Sequence, residues 1–148
     1  MILIKNRQRK IKVDEKQLEL WGKACLDNLG YSNFDLGILL TTNPTIQKFN
    51  REYRKKDKPT DILSFPFHQL KPGQKINPQI ESDKNLGDLI ISLEYVKKDA
   101  PKWNHSFNER MKVLLVHGIC HLLGYDHEED EDFKLMQKQE KKLLKVLN

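Results

Sequence analysis

Apolar residues in this chain fall either in short runs or three to four positions apart, and the two rhythms divide it into elements. Ile2-Leu3-Ile4 reads as a short first strand. Asp14 then opens a helical pattern, with Gln17 at the position where a capping box closes. Leu18, Trp21, Cys25 and Leu29 recur at helical spacing, and Gly30 ends the segment. Phe34 to Thr41 is apolar and suits a strand. Asn43-Pro44 predicts a helix start, with Asn as cap and Pro at the first helical position. Ile46, Phe49 and Tyr53 then form an apolar stripe that belongs to the core. Asp61 to Phe67 reads as a further strand, and Pro66 places it at an edge or stops it early.

From His68 to Asn85 the pattern lapses. Pro, Gly, Lys and Asn dominate without a period, which predicts a mobile surface excursion between two strands. Leu86 to Ser92 is the next strand, and Ser92 is placed to cap a short helix that ends before Pro101. Ser106 and Glu109 make another capping box. The helix they open carries Arg110, Val113, Leu114, His117 and His121 on one side. Asp130 opens the last helix, with Phe133, Met136, Glu140 and Leu144 along one line. No repeat or linker interrupts the chain, and strands and helices mix without a regular βαβ rhythm. The expected fold is α+β, a single domain over residues 1–148 with one small mixed sheet packed with helices.

At 148 residues a single domain buries about two-thirds of its unfolded surface, so no disulfide staple is needed. Cys25 and Cys120, far apart in sequence, read as reduced packing residues. No apolar run approaches the roughly 20 residues that span a bilayer, and the start of the chain is too short for a signal-peptide core. A cytoplasmic protein is the expectation. The formal net charge of +5 and pI of about 9.1 favour anionic partners, nucleic acid among them.

Chemistry concentrates in His117-Gly118-Ile119-Cys120-His121-Leu122-Leu123-Gly124-Tyr125-Asp126-His127, which holds three of the five histidines. On a helix, His117 and His121 lie one turn apart on one face, where two imidazoles can grip one metal ion. Gly124 can end the helix and turn the chain back, delivering His127 as a third ligand. Three protein ligands leave a coordination position open for water, as in catalytic zinc sites. An all-imidazole set suits zinc, and also copper, iron and nickel. The spacing matches the H-E-x-x-H-x-x-G-x-x-H of metzincin proteases at every ligand and at the turn glycine. Gly118, however, stands where those proteases carry the Glu that serves as general base. It is expected to leave a neutral gap there, which an anionic phosphodiester tolerates better than a carboxylate. Asp126 either handles protons beside His127 or caps the turn after Gly124.

A second unit, Tyr53-Arg54-Lys55-Lys56-Asp57-Lys58-Pro59-Thr60-Asp61-Ile62-Leu63-Ser64-Phe65-Pro66-Phe67, leads a basic cluster into the edge-like strand. Most of its lysines suit a solvated turn. Arg54 offers a planar fork for phosphate oxygens. Together with Gly87-Asp88-Leu89-Ile90-Ile91-Ser92 and the histidine run, this unit resembles the YbeY family, bacterial rRNA maturation factors described as single-strand-specific, zinc-dependent endoribonucleases. The resemblance covers nearly the whole chain, with Leu70 to Lys84 as its variable part. It implies an α+β fold and one Zn2+ per chain on His117, His121 and His127. It also implies that Arg54 stands beside the metal in a positively charged cleft. The expected role is small-subunit ribosomal RNA 3′-end maturation and ribosome quality control. Single-stranded ribosomal RNA is then the substrate, and the ribosome or its proteins are the partners. Two other readings stand beside it: a metzincin-like metalloprotease, whose edge strand would pair with a peptide, and a non-enzymatic ribosome-binding factor that zinc stabilises.

Overall fold

A computed structural model describes residues 1–148. The chain runs β1 (Ile2–Asn6), α1 (Glu15–Leu29), β2 (Asp35–Thr41), α2 (Asn43–Arg54), β3 (Ile62–Pro66), β4 (Asn85–Ser92), α3 (Leu93–Asp99), α4 (Phe107–Leu122) and α5 (Asp130–Leu147). Short 3₁₀ turns occupy Glu81–Asp83 and Ala100–Trp103. The four strands form one sheet in the order β1-β2-β4-β3. The first three run parallel and β3 pairs antiparallel to β4, so the sheet is mixed and β3 is an edge. This is a single small α+β domain, as the sequence pattern implies.

Each strand buries alternate residues on opposite faces, because side chains of a strand point up and down in turn. Leu36, Ile38, Leu40, Leu89 and Ile91 face the larger core, which α1, α4 and α5 complete with Leu18, Leu115, Ile119 and Leu143. Fully burying each such side chain stabilises the fold by about 2 kcal/mol. On the other face Ile46 of α2 packs on Leu63 and Ile90. Edge strand β3 shows both sides of the alternation. Leu63 and Phe65 join the α2 cluster, whereas Ile62, Ser64 and Pro66 line the cleft that holds the histidines.

Local signals act largely as expected. Asp14 accepts from the Gln17 amide at 3.0 Å, and the Ser106 hydroxyl accepts from the Glu109 amide at 3.2 Å. Two expectations shift. Thr42, not Asn43, stands at the cap of α2. The Asn43 carboxamide instead accepts from the Ser92 hydroxyl at 2.7 Å, so Ser92 stands at the cap of α3 as expected but makes no side-chain capping bond there. The Asn43 amide donates to the Glu94 carboxylate, a distant anion that suits the positive end of the α2 dipole.

The excursion between β3 and β4 is anchored. His68 donates to the Asp83 carbonyl at 2.7 Å, the Ile76 amide donates to the Tyr31 hydroxyl at 3.2 Å, and Ile76 packs on the main core. Gly118 also departs from expectation. A Cβ there would lie 2.8 Å from both Ile62 Cδ1 and Leu89 Cδ2, so the space is filled by the sheet. The glycine lets α4 press against β3 and β4, which fixes the histidine face beside the edge strand.

Candidate metal centre

Helix α4 carries His117 and His121 one turn apart near its end. The helix stops because Gly124 adopts φ 93°, and its amide donates to the His121 carbonyl at 3.0 Å. A side chain at 124 would be doubly excluded, since a Cβ would fall 2.3 Å from the Leu70 carbonyl oxygen. The next residues reverse direction. Asp126 Oδ1 accepts from the His127 amide at 2.7 Å, the turn-capping role of the two considered for it. The three imidazoles meet as a result, with one ligand atom from each within 4.8 Å of the others, a group that could hold a metal ion.

Hydrogen bonding fixes how two of these rings present themselves. His117 Nδ1 lies 2.9 Å from Glu140 Oε2 on α5, and His121 Nδ1 lies 3.0 Å from the Tyr125 carbonyl oxygen. Both partners are acceptors, so both Nδ1 atoms carry the hydrogen. Each Nε2 then offers a bare lone pair, and the two Nε2 atoms face each other across 3.1 Å. Neither can donate to the other. Two converging lone pairs repel unless a cation lies between them, so the donor set fits a divalent metal ion. Burial pushes the His121 pKa down to about 4, with repulsion from His117 and His127 adding to it. The ring therefore stays in the neutral form that binds metals.

Around this group opens a cavity of about 560 Å³. Arg54, the last residue of α2, lines it, together with Thr60, Asp61 and Ser64. One turn back, Arg51 is paired with Asp57 at 3.5 Å. The structure thus brings Arg54, His117, His121 and His127 to one cleft. Cys120 is fully buried and points into the core, where burial drives its thiol pKa far above the usual value. Cys25 is buried as well, its pKa raised to about 12 for the same reason, and both thiols are free. Another hollow of about 480 Å³ lies on the opposite sheet face among Leu3, Leu39, Phe49 and Phe65, away from the histidines.

Glu140, expected only on the line of the last helix, meets His117 instead. Its signal was present: a carboxylate interrupts the line of Met136 and Leu144, which turns toward the core. Asp61, expected only to start a strand, lines the cleft, and its carboxylate accepts from the buried Arg110 at 3.5 Å.

No helix is long and apolar enough to cross a membrane. The family model described as Endoribonuclease YbeY matches residues 3–148. An endoribonuclease YbeY of Aquifex aeolicus is 40% identical over 148 residues, covering 99% of this chain and 91% of that protein. The human endoribonuclease YbeY is 39% identical over 147 residues, covering 99% and 87% respectively. A solution structure of a Thermotoga maritima protein superposes with a TM-score of 0.64 at 26% identity, covering 99% of this chain and 89% of that one. On the full-length match of sequence and fold, this chain belongs to the YbeY endoribonuclease family.

Proposed function

We propose that residues 1–148 form one metal-dependent hydrolase domain, an endoribonuclease that cuts single-stranded RNA with one zinc ion held by His117, His121 and His127. The observation that carries this reading is the pair of Nε2 lone pairs converging at 3.1 Å in a cleft that Arg54 also lines. A divalent ion held by the three histidines would supply Lewis acidity for the hydrolysis.

The chain's own residues do the rest. Glu140 and the Tyr125 carbonyl hold His117 and His121 with Nε2 toward the cleft. Arg54 binds the non-bridging phosphate oxygens and offsets the charge that builds on them in the transition state. Thr60 and Ser64 line the same cleft. Asp126 is committed through Oδ1 to the His127 amide, where it positions the third imidazole. Position 118 holds no carboxylate, which removes the proton acceptor that a metzincin protease uses.

Family membership extends the proposal to small-subunit ribosomal RNA 3′-end maturation and ribosome quality control, with the ribosome or its proteins as partners. The site of action is then cytoplasmic, and the two free, buried thiols agree with a reducing compartment. Zinc-loaded protein offered single-stranded RNA, duplex RNA and casein tests the reading. Cleavage of single-stranded RNA alone, lost in His117→Ala, is expected. Cleavage of casein would indicate the protease reading, and inertness toward all three would indicate a binding factor.

A further inference from the structure

Beside the cleft lies a second hollow of about 420 Å³, and the two share Thr60 and Asp61. Its wall is formed by Tyr95 and Trp103, with Asp99 and Lys102 alongside. Trp103 is 54% exposed, yet it is held firmly. The Arg110 guanidinium lies 4.2 Å from its ring centroid. Its indole Nε1 donates to Asp99 Oδ2 at 2.9 Å. The 3₁₀ turn that carries it is closed by the Asn104 amide on the Ala100 and Pro101 carbonyls. Arg110 is itself buried and is steadied by Asp61. A cation stacked beneath an indole fixes one face of the ring and leaves the other free.

Charge in this hollow cancels locally. Asp61 pairs with Arg110, and Asp99 pairs with Lys102 at 3.6 Å. A phosphate therefore finds no uncommitted cation here, unlike in the cleft beside Arg54. What the hollow offers is a rigid, neutral aromatic face, which suits a flat uncharged ring system. Unpaired nucleobases are stacked in this way by single-strand-binding proteins. Position also agrees. Arg110 precedes His117 by seven residues of α4, two turns on the same face, so the platform stands about 10 Å along the helix from the histidines.

We propose that Trp103, on its Arg110–Asp61 support, is a stacking subsite for an unpaired base flanking the phosphodiester bound in the cleft. The proposal rests on the RNA reading of the cleft and deepens it, because it supplies a physical source of single-strand preference. Bases inside a duplex are stacked on each other and cannot open onto an indole. The subsite tolerates any base, since every base has a π-face.

Binding of two oligomers by the zinc-loaded protein tests it. One is a 2′-O-methyl phosphorothioate oligoadenylate, chosen to resist hydrolysis. The other is an abasic oligomer of the same backbone, length and charge. Wild type should bind the oligoadenylate about ten-fold more tightly than the abasic oligomer. Trp103→Leu should remove that difference, and Trp103→Phe should restore part of it. In a Trp21→Phe background, where Trp103 is the sole indole, the oligoadenylate should quench emission and the abasic oligomer should not. A purely structural role for Trp103 would not produce that quenching. Trp103→Leu weakening both oligomers equally, or retention of the ten-fold difference, would overturn the subsite. Arg54→Ala reports separately on the cleft and should weaken both oligomers. If it weakens neither, the RNA reading of the cleft fails while the fate of the stacking platform is still decided by Trp103. Failure of the wild type to bind either oligomer overturns both.

Discussion

Replacing Glu140 by Gln tests whether the last helix tunes the metal centre. The wild-type carboxylate accepts from His117 Nδ1 at 2.9 Å, and the two side chains are 23% and 29% exposed. Hydrogen bonds to charged groups contribute about 1.5–3 kcal/mol and neutral ones about 1 kcal/mol. Partial exposure places this bond in the lower part of the charged range. The carboxylate-to-amide change should therefore cost about 0.5–1 kcal/mol of metal affinity, a roughly 2- to 5-fold larger dissociation constant. Glu140→Ala loses the acceptor altogether and should approach a 100-fold loss, the upper end for groups that orient metal ligands. Competition between metal-free protein and a chromogenic zinc chelator measures both. Thermal melts of the metal-free variants guard against undocking of α5, whose Met136 and Leu143 remain buried. Wild-type affinity in both variants would show that the His117–Glu140 bond does not prepare a ligand. Loss of affinity that follows a large fall in the melting temperature of the metal-free protein would point to packing instead.

Other substitutions and conditions give further checks. Arg54→Ala should cut RNA cleavage at least ten-fold, about 1.4 kcal/mol of transition-state stabilisation, with zinc content by elemental analysis and melting temperature unchanged; a matching loss of stability would mark it as structural. Metal-free protein should lose stability as pH falls from 6.5 toward 4. In that window the unfolded chain takes up a proton on His121 that the folded chain, with its pKa near 4, resists, and urea midpoints that stay flat across it would contradict the burial of that ring. Gly118→Ala should overpack against Ile62 and Leu89 by about 1–3 kcal/mol, offset by about 1 kcal/mol of helix propensity. Gly118→Glu should lower the urea midpoint further, and two variants as stable as wild type would refute the close contact seen at 2.8 Å.

Local physics made much of this legible in advance. The helices announced themselves through period and caps, as at Asp14 and Ser106, because capping needs only residues three apart. The histidine cluster was legible for the same reason: helical spacing and one glycine turn bring all three rings together within eleven residues. What escaped notice depends on residues distant in sequence. Glu140 lies 23 positions from His117 and meets it only once α5 docks on α4. The anchoring of the β3–β4 excursion depends on Tyr31, 45 positions from Ile76. Asn43 looked like a cap, but Ser92, 49 positions away, claims its side chain. Gly118 looked like open space because nothing local reveals that β3 and β4 close over it.

The two-sidedness of β3 has a consequence for how this protein can change. A saturation scan across residues 62–66 should yield two interleaved lists. Substitutions at Leu63 and Phe65, against α2, should register in abundance and melting temperature. Those at Ser64 and Pro66, on the cleft side, should register in catalytic rate and substrate choice at nearly constant abundance. Ile62 belongs to both lists, because it packs in the main core and also borders the cleft. A five-residue edge strand thus separates durability from chemistry at single-residue resolution, so variation can retune the cleft from one side without loosening the sheet on the other.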